Sequence, residues 1–172
     1  PRVEEMLDTV QDTLGQIKEM LNNAPDAIAA LHKSLAENAD LKKQVDEFMK
    51  QRIAILAKQL QDEAKQEYGI NIIKLTGERL PDIVKGVALA LKAECTEATA
   101  FLAATEYEGK PMLTVMLSED LVKSGKKAGD IVRGAAKCIQ GGGGGQPHFA
   151  QAGGRNPQGL DDAMSAMLEA LK

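Results

Sequence analysis

One stretch, Gly141 to Gly154, is unlike the rest of the chain in its capacity to hold a ligand, and it reads GGGGGQPHFAQAGG. Five consecutive glycines are costly in a helix or a strand, each by roughly 1 kcal/mol relative to alanine. Such a run is either a floppy spacer or a loop whose backbone comes very close to something. The flanks favour the loop. Residues 131–139 lead in with helical spacing, Phe149-Ala150-Gln151-Ala152 is compact and partly apolar, and Gly153-Gly154 precedes Arg155. Bare backbone N–H groups in such a loop, from Gly141, Gly142, Gly143, Gly144 and Gly145, form a concavity that holds an anion, because no side chain keeps a phosphate away.

Three further features could serve that loop. Lys123, Lys126 and Lys127, in the turn KSGKKAG, form a cluster able to flank it. On their own such lysines are ordinary solvated surface, and they gain meaning only through nearness to the glycines. Arg155 follows the second glycine pair. The Gln151 carboxamide can hydrogen-bond a base edge, a ribose hydroxyl or its own backbone, and holding the loop's shape is the stronger reading over ligand contact.

Catalytic constellations are missing. The two histidines, His32 and His148, have no serine, cysteine or carboxylate spaced around them as a triad requires. No HxxxH or Cys/His cluster offers a zinc site, and neither GxxxxGK[ST] nor a GxGxxG after a strand occurs. Asp161-Asp162 stand before an apolar run and read as helix N-terminal residues facing the dipole. Cys95 and Cys138 read as half-buried small residues on helices rather than nucleophiles. The chain is therefore expected neither to catalyse a reaction nor to hold a cofactor of its own.

The helices and strands around the glycine stretch are legible from periodicity. Residues 3 to 21 carry Val3, Met6/Leu7, Val10, Leu14, Ile17 and Met20/Leu21 at alternating spacings of three and four, an amphipathic helix with a narrow coiled-coil-like seam. Asn22-Asn23-Ala24-Pro25 stops it, with Pro25 placed as the first residue of the next helix. From Asp26 the pattern resumes and runs unbroken to about Tyr68-Gly69, a helix of roughly 60 Å. The pair should fold back as an antiparallel hairpin. Its apolar seam either packs on the chain's own globular part or meets the same seam on a second chain. Self-association is the stronger reading, because a long, narrow stripe buries little alone.

At Gly69 the period changes to two. Strands are expected at Ile70–Leu75, Ala98–Ala104 and Met112–Leu117, the last two joined by a turn at Glu106–Lys110. Helices are expected from Leu80 to Glu94, from the N-cap Ser118 to about Gly125, over Asp130–Ile139 and over Pro157–Leu171. The fold class is thus α/β, a mixed sheet with packed helices, preceded by the helical hairpin; the division is 1–68 arm and 69–172 globular domain.

Composition sets the class. The chain has 172 residues, 44% hydrophobic and 27% charged, with aromatics at only 3%, so its core is built from aliphatic side chains. Two isolated cysteines and the lack of an apolar run near 18 residues point to a cytoplasmic protein with no membrane span. The sequence begins at Pro1, as an excised piece of something larger would. Net charge is −4, but residues 118–155 hold six basic residues against three acidic ones. The positive excess sits around the glycines, a modest footprint for phosphate.

The string GGGGGQPHFAQAGG resembles the C-terminal domain of the alanyl-tRNA synthetase family, a DHHA1-like domain whose pattern reads G-G-G-G-G-x-P-x-x-A-Q-A-G-G. The segment SEDLVKSGKKAGDIV, Ser118 to Val132, and the junction at Tyr68-Gly69-Ile70 fit the same family, so the likeness spans essentially the whole chain. It implies an appendage of an alanine–tRNA ligase that binds the elbow of tRNA-Ala, forms a homodimer through its helical arm, and helps bring aminoacylation and editing centres to one tRNA. ATP, magnesium and zinc are implied for the parent enzyme, not for this piece. The runner-up is the nucleic-acid-binding half of a DHH-type phosphodiesterase, which carries a related GGGH loop. Against it, Gln146-Pro147 stand between the glycines and His148, and no DHH triplet occurs. Position 146, often basic in the synthetase family, is Gln146 here. A purely structural dimerisation module is the third reading.

Overall fold

The structure, a computed structural model, describes residues 2–172; Pro1, where the sequence starts, lies outside the described residues. Helix α1 (Val3–Met20) follows the three–four spacing of its apolar residues and buries none of them. Asn22 and Asn23, both at φ 55°, end it in the left-handed region that asparagine tolerates best among side-chain-bearing residues. Helix α2 (Ala27–Asp62) starts after Asp26, whose Oδ1 accepts the Ala29 N–H at 3.0 Å. Pro25 thus precedes the cap and is not the first helical residue.

By its internal contacts the chain divides into a unit ending at Phe48 and a unit Met49–Lys172. This division differs in position from the 1–68/69–172 organisation, because Ala57 and Leu60, on the last turns of α2, are buried in the core of the second unit. Within the first unit the apolar seam stays exposed, Val10 at 55% and Leu35 at 60%.

Helix α2 stops at Asp62, short of the expected Tyr68. Lys65–Glu67 form strand β1, paired antiparallel with β2 (Ile70–Glu78). Tyr68 (φ 54°) and Gly69 (φ 74°) make the two-residue turn, whose left-handed pair matches the twist of the flanking strands. Lys65-Gln66-Glu67 is wholly polar, so it offers no period-two alternation to read. There follow α3 (Pro81–Glu94), β3 (Thr99–Tyr107), β4 (Lys110–Leu117), α4 (Glu119–Lys123) and α5 (Ala128–Ala136). Strands β5 (Gly142–Gln146) and β6 (Phe149–Gly153), a 3-10 turn at Pro157–Gly159 and α6 (Leu160–Glu169) complete the chain. The predicted helix over Pro157–Leu171 thus begins as the 3-10 turn.

The six strands form one sheet in the order β1-β2-β3-β4-β6-β5. β2 and β3 are parallel, linked by the α3 crossover, and every other neighbouring pair is antiparallel. Alternation sends Ile72, Leu102, Leu113, Val115 and Ala152 to one face, under α5 and α6. Ile73, Leu75, Phe101 and Met116 face the other way, under α3 and the end of α2. The mixed α/β fold read from the sequence is the observed one.

Ser118 stands at the N-cap of α4, yet its hydroxyl accepts the Thr99 N–H at 2.9 Å instead of a helix amide. It therefore ties the end of β4 to the start of β3.

Candidate nucleic-acid interface

The glycine stretch is not an irregular loop. Gly142–Gln146 is the edge strand β5, which pairs antiparallel with β6 from Gly142↔Gly153 to Gln146↔Phe149 around the turn Pro147-His148. Ladder hydrogen bonds to β6 offset the entropic cost of ordering glycine, which is why a strand forms where propensity argues against one. None of Gly141 to Gly145 has a positive φ. Close approach is what demands glycine here. A Cβ on Gly141, Gly143 or Gly145 would fall within 3.0 Å of the β6 segment, on the carbonyl oxygens of Gly153, Gln151 and Phe149 respectively. Gly142 faces open space, and a Cβ on Gly144 would meet only the Arg133 guanidinium, at 3.6 Å. The close partner inferred from the sequence is thus, for the odd-numbered glycines, the chain's own next strand.

Edge position leaves alternate N–H and C=O groups of β5 unpaired by the sheet, and the strand is largely exposed. Cations stand beside it at three points along its length. Ala128 N–H donates to the Pro147 carbonyl at 2.8 Å, and Leu117 N–H to that of His148 at 2.9 Å, so the KSGKKAG turn lies against the hairpin tip. Lys127 there is exposed and Lys126 half-buried; Lys123 is exposed and only loosely paired with Glu119, at 3.9 Å. Midway along, Arg133 of α5 reaches Gly144 while its Nη1 pairs with Asp130 at 3.0 Å. Helix α5 comes this close because Gly129 lacks a Cβ, which would sit 3.2 Å from the Gly145 carbonyl oxygen.

Arg155 lies at the other end of the hairpin, its N–H donating to the Ile139 carbonyl at 2.9 Å. A five-residue strand at 3.3 Å per residue separates it from the lysines by about 15 Å. The structure therefore brings Lys126 and Lys127 to the tip, and Arg155, Gly153 and Gly154 to the base, along a single edge strand and not around one point. The Gln151 amide donates to the Thr114 hydroxyl at 3.1 Å, across the β4–β6 pair. That is the shape-holding arrangement of the two roles open to it.

At the base a groove of 570 Å³ opens, lined by Arg79, Tyr107, Lys110, Gly153, Gly154 and Arg155 among others. Sequence reasoning missed Arg79, Lys110 and Arg133. Arg133 had a signal in the local charge excess. Arg79 and Lys110 reach the groove only through sheet register, which no spacing in the sequence announces.

Cys95 ends α3, its thiol donating to the Lys92 carbonyl at 3.3 Å, and burial pushes its pKa up, away from the thiolate. Cys138 lies just past α5 rather than on it. Among the described residues no three His, Cys, Asp or Glu side chains converge as metal ligands, and no helix is long and apolar enough to cross a membrane.

The DHHA1 domain family matches residues 69–172, which hold every strand of the sheet but β1, the glycine hairpin included. The chain belongs to the DHHA1 domain family. Over 98% of its length, arm included, it is also similar to alanine–tRNA ligases: 51% identical to that of Bacteroides thetaiotaomicron and 52% to that of Bacteroides fragilis, each over 168 residues. The chain spans 19% of the length of these relatives. Among solved structures, the C-Ala domain of Aquifex aeolicus alanyl-tRNA synthetase matches with a TM-score of 0.56 at 21% identity, covering 63% of this chain and 96% of that one. This likeness concerns the fold. In the DHHA1 domain described here the glycines thus serve first to let β5 lie against β6 and α5, and the cations line the exposed side of the same hairpin.

Proposed function

We propose that this chain is a tRNA-binding portion of an alanine–tRNA ligase, gripping the elbow of tRNA-Ala and supporting a homodimer through its helical arm. The observation that carries the reading is the exposed glycine edge strand with Lys127, Arg133 and Arg155 disposed along it. A flat backbone edge with cations at its tip, middle and base fits a phosphate backbone, which presents charge at regular intervals and needs no deep pocket. The similarity to alanine–tRNA ligases over nearly the whole chain supports tRNA-Ala as the nucleic acid. In this reading the protein works in the cytoplasm, and chemistry, with ATP, magnesium and zinc, belongs to the rest of the ligase. The arm's exposed apolar residues, among them Leu14 and Leu35, support self-association, since exposed patches of this kind are covered by partners.

A filter-binding titration with tRNA-Ala at low and at moderate salt tests the reading. Binding that weakens steeply with salt supports it. A purely structural dimerisation module gives no salt-dependent binding. A phosphodiesterase-type half binds short single-stranded RNA at least as well as folded tRNA.

A further inference from the structure

Thr105, Met112 and Gly153, three residues of one row of the sheet, line the groove at the base of the hairpin. Register aligns Gly77 with Thr105, Thr105 with Met112, Met112 with Gly153, and Gly153 with Gly142. Three of these five residues have no side chain. A Cβ on Gly153 or Gly142 would meet nothing within 4 Å, and one on Gly77 only the tip of Arg79. Of the three, Gly153 lines the groove, and its missing side chain leaves a hollow where a sheet normally presents a packed row.

What surrounds the hollow is chemically one-sided. Arg79, Lys110 and Arg155 line it, and no carboxylate does. None of the three forms an ion pair among the described residues. Two polar atoms in its wall are buried without a partner, Arg79 Nε and Thr105 Oγ1, and Thr105 is 1% exposed. Orphan polar groups of this kind are costly to a fold unless something visits them. Tyr107, Pro81, Pro111 and Met112 supply apolar wall beside these donors. Cations, a hydroxyl and an aromatic edge within 570 Å³ match an anionic group joined to a flat ring.

We propose that this groove takes one unstacked nucleotide of RNA, its phosphate held by Arg79, Lys110 and Arg155 and its base against Tyr107 and Met112. Thr105 and Arg79 Nε donate to the nucleotide's oxygens. The inference rests on the reading that the chain binds RNA, and it adds a discrete nucleotide pocket to the phosphate edge along β5. It also divides the second glycine pair by role: Gly153 keeps the hollow open, whereas a Cβ on Gly154 would fall on the Ile139 carbonyl, a requirement of the fold.

Amide NMR of the full chain, titrated with AMP, GMP, CMP and UMP to about 10 mM, tests the pocket, with inorganic phosphate and the free nucleosides alongside. The nucleotides should shift the amides of Thr105, Tyr107, Gly153 and Gly154, and do so more tightly than phosphate or nucleoside alone. Gly153→Val should abolish those shifts and lower tRNA affinity about tenfold with an unchanged Tm, because its side chain enters open space. Arg79→Gln provides a second variant should Gly153→Val disturb the sheet, and it should weaken nucleotide and phosphate alike. Nucleotides that leave these amides unmoved while tRNA still binds overturn the pocket and spare the RNA reading. Equal response to phosphate and nucleotides overturns the base contact. Wild-type chain that binds no tRNA overturns the reading beneath both.

Discussion

Gly142 and Gly143 are neighbours in β5, yet a methyl group on Gly142 meets open space while one on Gly143 falls on the Gln151 carbonyl and against Ala152. The five glycines are thus two sets, alternating with the pleat. The inward set is fixed by backbone contact, and the outward set is free to face a ligand.

Gly143→Ala should therefore lower stability by roughly 1–3 kcal/mol or more, since the obstacle is a neighbouring backbone that cannot rotate away. Gly142→Ala and Gly144→Ala should leave the Tm unchanged or slightly raised, through reduced freedom of the unfolded chain. If these two weaken tRNA binding in filter assays, backbone approach at β5 is supported. A tolerated Gly143→Ala would contradict the close packing of β5 on β6.

The Gln151–Thr114 hydrogen bond predicts a stability effect, not a binding one. Gln151→Leu should cost about 1 kcal/mol, because the buried Thr114 hydroxyl loses its partner. Adding Thr114→Val should recover part of that loss in a double-mutant cycle. A drop in tRNA affinity with unchanged chemical denaturation would assign Gln151 to the ligand instead.

Cations at the two ends of the hairpin should act on the salt dependence separately. Joint replacement of Lys123, Lys126 and Lys127 by alanine should flatten the slope of log affinity against log salt, by roughly one unit for each phosphate no longer neutralised. Arg155→Ala at the base and Arg133→Gln between the two ends should act in the same direction. The effects should add, since the two ends lie about 15 Å apart. Arg133 should matter least, because its exposed ion pair with Asp130 offsets part of its charge. Unchanged affinity and slope when all are replaced would refute this surface.

Self-association should reside in the arm. Sedimentation of the full chain at roughly tens of micromolar should report a dimer, and Leu14→Lys with Leu35→Lys should return it to monomer. Both side chains are exposed within the first unit, so folding of the second should survive, as its Tm would report. A monomeric wild-type chain would sink this assignment.

What the sequence determined by itself is whatever depends on neighbours in the chain. The three–four spacing of α1 and α2, the helix expected from Leu80 that forms α3, and the turn expected at Glu106–Lys110, where Glu108 and Gly109 take positive φ, were all legible, because a helix face or a tight turn is settled within a few residues. The glycine pattern and its family were legible too. Tertiary structure alone decided that those glycines are a strand, since residues without side chains carry no alternation and become β structure only by pairing with β6. It alone ended α2 at Asp62, because polar Lys65–Glu67 joins the sheet through β2. It also placed Arg79, Lys110 and Arg155 around one hollow: register sets Gly77, Thr105, Met112 and Gly153 side by side, and pairing between strands distant in the chain leaves no periodic trace within any one of them.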